Sequence, residues 1–279
     1  FSKNDKPAFN QKDERFLKLK VALPFLSSKR LELGFGIAQI EDRYFQNNVI
    51  DFDKDKYDKS GYRLFGGSVS FNGSTLNSRQ FPIQGAREAL VAQIFTGNES
   101  FRPGVNSENK KPVKEKHSWL QLSYMKEKYH KMGANWILGW YLDAVYASKN
   151  FSENYTATMM QASEFAPTAH SKLTYNEAFC ANQYVAAGIR PIYRLNQMFH
   201  VRGEFYGFLP IFPIERNSIN KAYYGKAFSR FEYLGEISVV CQLPFGAISA
   251  YVNHYSSPRR EWNVGLTLGW QLFNYRFIE

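Results

Sequence analysis

The chain has 279 residues, a formal net charge of +10 and a mean hydropathy of −0.43. No run of eighteen apolar residues occurs, which excludes a transmembrane helix. The positive charges are scattered through polar segments, as at Lys54, Lys110 and Lys114, and are not gathered with stacking aromatic residues, which argues against a nucleic-acid partner. The 24 Phe, 18 Tyr and 5 Trp suit the aromatic girdles of a membrane protein.

The first two strand-like segments alternate apolar residues with polar or small ones. Because successive side chains of a strand point to opposite faces, each segment has one apolar face. These faces consist of Leu17, Leu19, Val21, Leu23 and Phe25, and then of Leu31, Leu33, Phe35 and Ile37.

The same alternation returns later in the chain. It places Trp136, Leu138, Trp140, Leu142, Ala144 and Tyr146 on one face, then Val201, Gly203, Phe205, Gly207 and Leu209, then Phe231, Tyr233, Gly235, Ile237, Val239, Cys241 and Leu243. The last segment, 262–273, has Trp262, Val264, Leu266, Leu268, Trp270 and Leu272 on one face and Asn263, Gly265, Thr267, Gly269 and Gln271 on the other. An apolar face opposite a face of small and polar residues is typical of a transmembrane β-barrel strand.

The patterns predict eleven strands, at about 15–25, 30–42, 62–73, 87–96, 118–130, 134–147, 183–195, 198–212, 228–243, 247–255 and 262–273. Tight turns alternate with long polar connections at about 43–61, 97–117, 148–182 and 213–227, which are the expected extracellular loops. The fold class is therefore all-β, a transmembrane antiparallel β-barrel, with residues 1–279 as one barrel region. The last strand then descends and leaves the C-terminus in the periplasm.

Eleven strands conflict with the even strand count of single-chain bacterial barrels. The polar opening, 2–14, is typical of a loop that enters a descending strand. We therefore expect this chain to be the C-terminal part of a longer polypeptide.

Two stretches carry a resemblance to a known family. They are Gly73-Ser74-Thr75-Leu76-Asn77-Ser78-Arg79-Gln80-Phe81-Pro82, continuing through 85–93 and 97–104, and Ala181-Asn182-Gln183-Tyr184-Val185-Ala186-Ala187-Gly188-Ile189-Arg190-Pro191-Ile192-Tyr193. They resemble the barrel region of bacterial patatin-like phospholipases. The resemblance implies a hydrolase domain before the barrel, and a barrel similar to the sixteen-stranded insertase and two-partner-secretion superfamily.

On that resemblance the segment 15–25 is the sixth of sixteen strands, and loop 148–182 takes the place of a long loop that folds back into the lumen. The superfamily marks that loop with Val-Arg-Gly-aromatic, which loop 148–182 lacks. The nearest match is Val201-Arg202-Gly203-Glu204, which has Glu in place of the aromatic residue and follows a strand pattern.

Catalytic residues are not predicted within this chain. A patatin hydrolase uses a serine in Gly-x-Ser-x-Gly, which does not occur, and the closest string, Gly66-Gly67-Ser68-Val69-Ser70, lies in a strand pattern. His254 and Ser256 share a face near a strand end and are candidates for a base and a nucleophile, although a polar strand end beside Tyr255 is the favoured interpretation. The histidines show no ligand spacing with Cys180 or Cys241, which we expect to be unpaired, so neither a metal nor a cofactor is predicted.

Charged residues of inward parity are the other candidate site. We expect the following to face the lumen: Lys18, Lys20, Glu32, Asp143, Arg190, Arg194, Arg202, Glu204, Arg230, Glu232 and Glu236. They can form salt-bridge networks that rigidify the barrel, which is the favoured interpretation, or line a path for solutes. The expected aromatic girdle contains Trp136, Trp140, Tyr146, Phe231, Tyr233, Trp262 and Trp270.

Three functions remain open from the sequence. The first is an outer-membrane barrel that anchors, and can export, an N-terminal patatin-type lipid acyl hydrolase. The second is an insertase or translocase barrel, and the third is a passive pore or structural barrel. The expected location is the bacterial outer membrane, and the expected partners are its lipids, the hydrolase domain and other outer-membrane proteins. A soluble all-β protein is the alternative to all three.

Overall fold

The fold is taken from a computed structural model, which describes residues 10–26, 28–45, 57–104, 107, 109–244, 246–257, 262–269 and 277–278. Most of these residues belong to one large antiparallel sheet of eleven strands. Its strands are β1 (Asn10–Leu26), β2 (Lys29–Tyr44), β3 (Asp58–Ser74), β4 (Gly85–Arg102), β5 (Val113–Lys131), β6 (Trp136–Ala147), β9 (Gln183–Arg194), β10 (Phe199–Pro210), β13 (Glu232–Leu243), β14 (Gly246–Tyr255) and β15 (Trp262–Gly269).

Short elements occupy two of the long connections. One connection holds β7 (Ser163–Glu164) paired with β8 (Cys180–Ala181), the helix α1 (Tyr155–Gln161) and two single 3₁₀ turns. The other holds a hairpin of β11 (Ile214–Arg216) and β12 (Ala222–Tyr224). None of the helices in the described parts of the chain is long and apolar enough to cross a membrane.

The eleven predicted strands are confirmed, and each pairs with its neighbours in chain order. Several are longer than the apolar pattern indicated, because ladder pairing continues through polar residues. Tyr44 pairs with Asp58 and Lys59 with Arg102, so the connections after β2 and β4 are shorter than 43–61 and 97–117. The part of the last predicted strand beyond Gly269, including Trp270, lies outside the described residues.

The two faces of the large sheet differ sharply. On the face that we call the packed face, side chains such as Ile40, Phe95 and Phe208 are buried. On the opposite face, the apolar face, large hydrophobic side chains are exposed, with Val264 at 82% and Phe35 at 64%. The period of two therefore separates buried from exposed residues, as the alternation predicted.

The sheet is strongly staggered. We call the strand ends that are joined by the short connections the turn side, and the other ends the loop side. A row of paired residues crosses the sheet from Val21 of β1 to Gln183 of β9. Val21 is five residues from the turn-side end of its strand, whereas Gln183 is eleven residues from the turn-side end of its strand. The row passes through Leu33, Val69, Ala92, Leu122 and Tyr146. A shift of about one residue per strand, at about 3.3 Å rise and about 4.8 Å spacing, corresponds to a strand tilt of about 35°.

Loop 148–182 lies on the packed face and contacts both ends of the sheet. Gln161 of α1 donates to Asp42 of β2 at 2.5 Å, and Thr168 donates to Glu236 of β13 at 2.9 Å. Between these anchors Phe165 packs on Phe208 with ring centroids 5.6 Å apart. One segment therefore joins strands that are seven places apart in the sheet order.

The connection 75–84 also folds onto the packed face, from the turn side. Phe81 is buried there with a positive φ of 55°, and its ring lies 5.9 Å from that of His170 in loop 148–182. Thus the loop-side and turn-side connections meet each other over the sheet.

Within the described residues, β1 and β15 each have one paired neighbour, so the sheet has two free edges. Phe277 lies beside the first edge, 2% exposed, with its amide donating to Glu14 of β1 at 2.5 Å. Its ring fits where Gly36 and Gly66 lack side chains, since a Cβ on Gly36 would approach the ring to 2.8 Å.

Candidate functional site

Arg190 is the centre of a buried ionic network on the packed face. Its guanidinium bonds to the Glu127 carboxylate, donates to the Tyr206 hydroxyl at 2.6 Å and lies 3.5 Å from Glu204. It also stacks over Tyr141, 4.7 Å from the ring centroid. Aromatic faces and carboxylates therefore surround a guanidinium whose side chain is only 5% exposed.

Arg202 extends this network toward the turn side. It lies 2.7 Å from the same Glu204 and donates to the carbonyl of Pro82 at 3.3 Å. Its guanidinium also lies over the ring of Phe81. The network thus binds the connection 75–84 to the wall, just as Arg190 binds loop 148–182 through the carbonyl of Pro167 at 3.4 Å.

A second buried cluster anchors the tip of loop 148–182. His170 Nδ1 lies 2.7 Å from Glu236, its Nε2 lies 3.2 Å from the Ser249 hydroxyl, and its ring stacks on Tyr251 at 3.5 Å. Serine, histidine and carboxylate are ordered here as in a hydrolase triad. The His170 and Glu236 side chains are fully buried, however, and Ser249 Oγ is also bonded to Thr267 at 2.5 Å. We interpret the cluster as an anchor for the loop.

A third cluster lies near the loop side. The Tyr62 hydroxyl lies 3.2 Å from the Glu99 carboxylate and 2.8 Å from the Ser152 hydroxyl, and Asn154 donates to Tyr44 at 2.6 Å. Asn154 also caps α1 by accepting from the Ala157 amide. These bonds hold the start of loop 148–182 against β2 and β3.

Three side chains near this cluster could supply metal ligands. Glu99, Glu115 and His117 place one ligand atom each within 4.8 Å of one another. Glu99 is already bonded to His117 at 2.8 Å and accepts from Tyr62, while Glu115 is exposed. We assign no metal to them.

Lys149, at the start of loop 148–182, is a buried cation. Burial lowers its pKa from 10.5 to about 7, and the charge of Lys12 adds to the effect. Its ammonium lies 4.7 Å from the Trp119 ring centroid and donates to the carbonyl of Gln161 at 3.4 Å. The aromatic contact and the hydrogen bond offset part of the desolvation.

Replacing Lys149 by Met is expected to stabilise the fold, by about 1–3 kcal/mol at pH 6. Between pH 7 and 10.5 the unfolded chain holds the proton that the folded Lys149 releases, so stability of the unmodified chain rises with pH in this window. The gain from Lys149→Met should therefore shrink toward pH 10. Urea unfolding in detergent, monitored by tryptophan fluorescence at both pH values, measures the free energy of unfolding. The exposed Lys226→Met is the control, and equal gains at pH 6 and 10 would contradict the assignment.

The other charged residues of predicted inward parity are also on the packed face. Lys20 lies 3.9 Å from Glu32, which Arg30 also contacts, and Arg230 lies 2.7 Å from Glu232. The remaining three are half-buried: Asp143 accepts from Tyr141 at 3.0 Å, Arg194 donates to the Ala134 carbonyl at 2.9 Å, and Lys18 lies beside Gly34 and Gln93.

His254 and Ser256 do not form a catalytic pair. The Ser256 hydroxyl bonds to the Glu232 carboxylate of the packed face. The His254 ring instead stacks with Tyr233 at 5.7 Å and contacts Trp262 at 4.6 Å. A base that activates a serine must bond to it, and here the two side chains have different partners.

The described members of the expected aromatic girdle lie on the apolar face. Trp262 is 68% exposed, and the ring of Trp136 lies 5.0 Å from that of Tyr193. Three more are exposed, namely Tyr146, Phe231 and Tyr233, and Trp140 is half-buried. Trp270 lies outside the described residues.

Several residues of the site were not predicted. Glu127 and Tyr129 lie on the buried face of β5, at alternate positions along the strand. This alternation was the sequence signal that could have identified them. His170 gave no signal, because its role depends on how loop 148–182 folds across the sheet.

Neither the models of known protein families nor the curated proteins include a match to this chain.

Proposed function

We propose that this chain forms most of the wall of an outer-membrane β-barrel with a filled interior, and that it acts as a membrane anchor. The observation that carries the proposal is the exposed apolar face, which has exposed large hydrophobic side chains on ten of the eleven strands, all but β14. Exposed apolar surface of this extent is costly in water and favourable in lipid.

The dimensions of the apolar face support a membrane location. It runs from Leu17 to Phe25 on β1 and from Trp136 to Tyr146 on β6. With a rise of about 3.3 Å and a tilt of about 35°, these stretches are roughly 22 and 27 Å tall. Outer-membrane barrels carry an apolar band about 25 Å tall.

The stagger and loop 148–182 support curvature of the sheet. A tilt of about 35° falls within the range that barrel closure requires. The side chains of Gln161 and Thr168, seven residues apart, bind strands that would lie roughly 34 Å apart in a flat sheet. Curvature of the sheet around the loop shortens this span.

The filled interior favours an anchor over a passive pore. Arg190 and Arg202, which could have lined a path, instead share Glu204 and bond to the two inserted connections. Glu236 is bonded to Thr168 of loop 148–182. On the resemblance to patatin-like phospholipases, the anchored part is an N-terminal lipid acyl hydrolase. The alternative is an insertase-type barrel. Two features favour it: a long loop lies on the packed face, and the sheet has two free strand edges within the described residues.

Refolding into vesicles tests the membrane location. We expect the chain to float with phosphatidylcholine vesicles in a density gradient and to migrate faster on a detergent gel when unheated than when boiled. Solubility without detergent, together with migration that heating does not change, would support a soluble all-β protein and remove the proposal.

The anchor and insertase alternatives differ in the preceding coding sequence. A hydrolase requires Gly-x-Ser-x-Gly and an aspartate partner upstream of Phe1, whereas an insertase requires repeated small periplasmic domains. Finding the second and not the first would replace the anchor by the insertase.

A further inference from the structure

Among the described residues, the apolar face has one charged interruption, on β4 and β5. Glu88 of β4 projects outward opposite Lys126 of β5, with Tyr124 and Lys128 on the same face. We call these four residues the polar breach. The residues that pair with these four, followed from strand to strand across the other described strands, are apolar, small or aromatic. The exceptions are His254 near the loop-side end of β14 and Lys29 at the turn-side end of β2.

The polar breach is an organised cluster. Tyr124 donates to Glu88 at 2.8 Å, and Lys126 donates to the same carboxylate oxygen at 3.3 Å. Lys29 approaches the second oxygen of Glu88 at 3.8 Å. One glutamate is thereby shared by two lysines, while Lys128 is exposed and has no carboxylate partner among the described residues.

The breach lies deep enough to be costly in lipid. Lys126 is five residues and Lys128 three residues from the turn-side end of β5, about 14 and 8 Å above that edge. A lysine near the middle of the lipid face of a barrel destabilises it by about 2–4 kcal/mol. Three lysines against one glutamate leave an excess of positive charge, so an anionic partner would offset the cost.

On the loop side of the breach, the same strands expose Leu90, Ile94, Leu120 and Leu122. Lysine side chains at and below the middle of the band, with apolar side chains on their loop side, follow the order of headgroup and acyl chains in a lipid of the turn-side leaflet. Lys126 and Lys128 can reach down to the headgroup along their aliphatic stems.

We propose that the polar breach binds the phosphate of an anionic phospholipid of the turn-side leaflet. Lys128 and Lys126 hold the phosphate, the Tyr124 hydroxyl borders it, and Leu90 and Leu122 contact the acyl chains. The inference rests on the proposed membrane location.

Native mass spectrometry of the detergent-solubilised chain tests the site. The protein is titrated with phosphatidylglycerol and, separately, with phosphatidylcholine and inorganic phosphate. We expect retention of phosphatidylglycerol over phosphatidylcholine, no retention of inorganic phosphate, and roughly tenfold or greater weakening in Lys126→Gln/Lys128→Gln.

The matched control is Lys114→Gln/Lys116→Gln, which makes the same change of charge on the same face of β5 beyond the loop-side end of the apolar band. It should bind phosphatidylglycerol as the unmodified chain does. Single Lys128→Gln, which leaves the Glu88 pair intact, guards against misfolding, and heat-modifiable migration verifies the fold of each variant. Equal weakening in the control, or no preference for the anionic lipid, would overturn the inference.

Two further outcomes would also overturn the lipid site. A dimer that disappears in Lys128→Gln would show that a second copy of the chain, and not a lipid, covers the breach. If the unmodified chain fails to float with vesicles, the membrane location itself fails, and the lipid site fails with it. If the chain floats and yet shows no lipid preference, only the lipid site fails.

Discussion

Replacing Arg190 by Met is expected to destabilise the fold by about 3–5 kcal/mol. The guanidinium is the shared cation of Glu127 and Glu204, and both carboxylates are buried. Its removal takes away the guanidinium bonded to Glu127 and leaves Arg202 as the arginine bonded to Glu204. A buried charge that loses its bonded partner is costlier than the pair was favourable. Urea unfolding in detergent, monitored by tryptophan fluorescence, measures the change.

The matched control for this prediction is Arg30→Met. Arg30 also contacts a glutamate of the packed face, Glu32, but its side chain is 62% exposed. An exposed pair contributes about 0–1 kcal/mol. Adding Glu127→Gln to Arg190→Met should restore part of the stability, because a neutral amide needs no cation. A loss below about 1 kcal/mol for Arg190→Met would show that water reaches the network.

Removal of loop 148–182 is expected to give the proposed barrel a steady conductance that the intact protein lacks. The Ala147 amide donates to the Asn182 carbonyl at 2.8 Å, so the wall is already paired where the loop leaves it. Residues 150–179 can therefore be replaced by a four-residue turn without a break in the sheet. Single-channel recording in planar bilayers should show no steady conductance for the intact protein and steady openings for the deletion.

A deletion of the β11–β12 hairpin controls for the loss of any surface loop. The Gly225 amide donates to the Pro213 carbonyl at 2.8 Å, so the base of this hairpin is closed as well. We expect its deletion to remain silent. Steady conductance of the intact protein would instead favour the passive pore.

The strands and the faces of their side chains could be predicted from the sequence, because a period of two is a local property. The parity of Arg190, Arg202 and Glu236 placed them together on one face. Their partners could not be predicted, since Glu127 is 63 residues from Arg190 and the register that joins them depends on how β6 pairs with both β5 and β9.

Two other features escaped prediction for different reasons. Lys126 and Lys128 reverse the usual alternation of β5, so a search for apolar periodicity passes over them. The position of Phe277 depends on missing side chains at Gly36 and Gly66, on strands more than 200 residues earlier. Glycines in a strand carry no sign of what fills the space beside them.

The length of loop 148–182 bears on the entropy of chain closure. Most turn-side connections are tight turns. The loop-side connection between β6 and β9, in contrast, has 35 residues. Each doubling of loop length adds about 0.6 kcal/mol to the cost of closure, so the β6–β9 ladder costs about 2 kcal/mol more to close than a hairpin with a four-residue turn. The hydrogen bonds of Gln161, Thr168 and His170 across the interior offset that cost. The loop on the packed face thus also stabilises the least local strand pairing of the sheet.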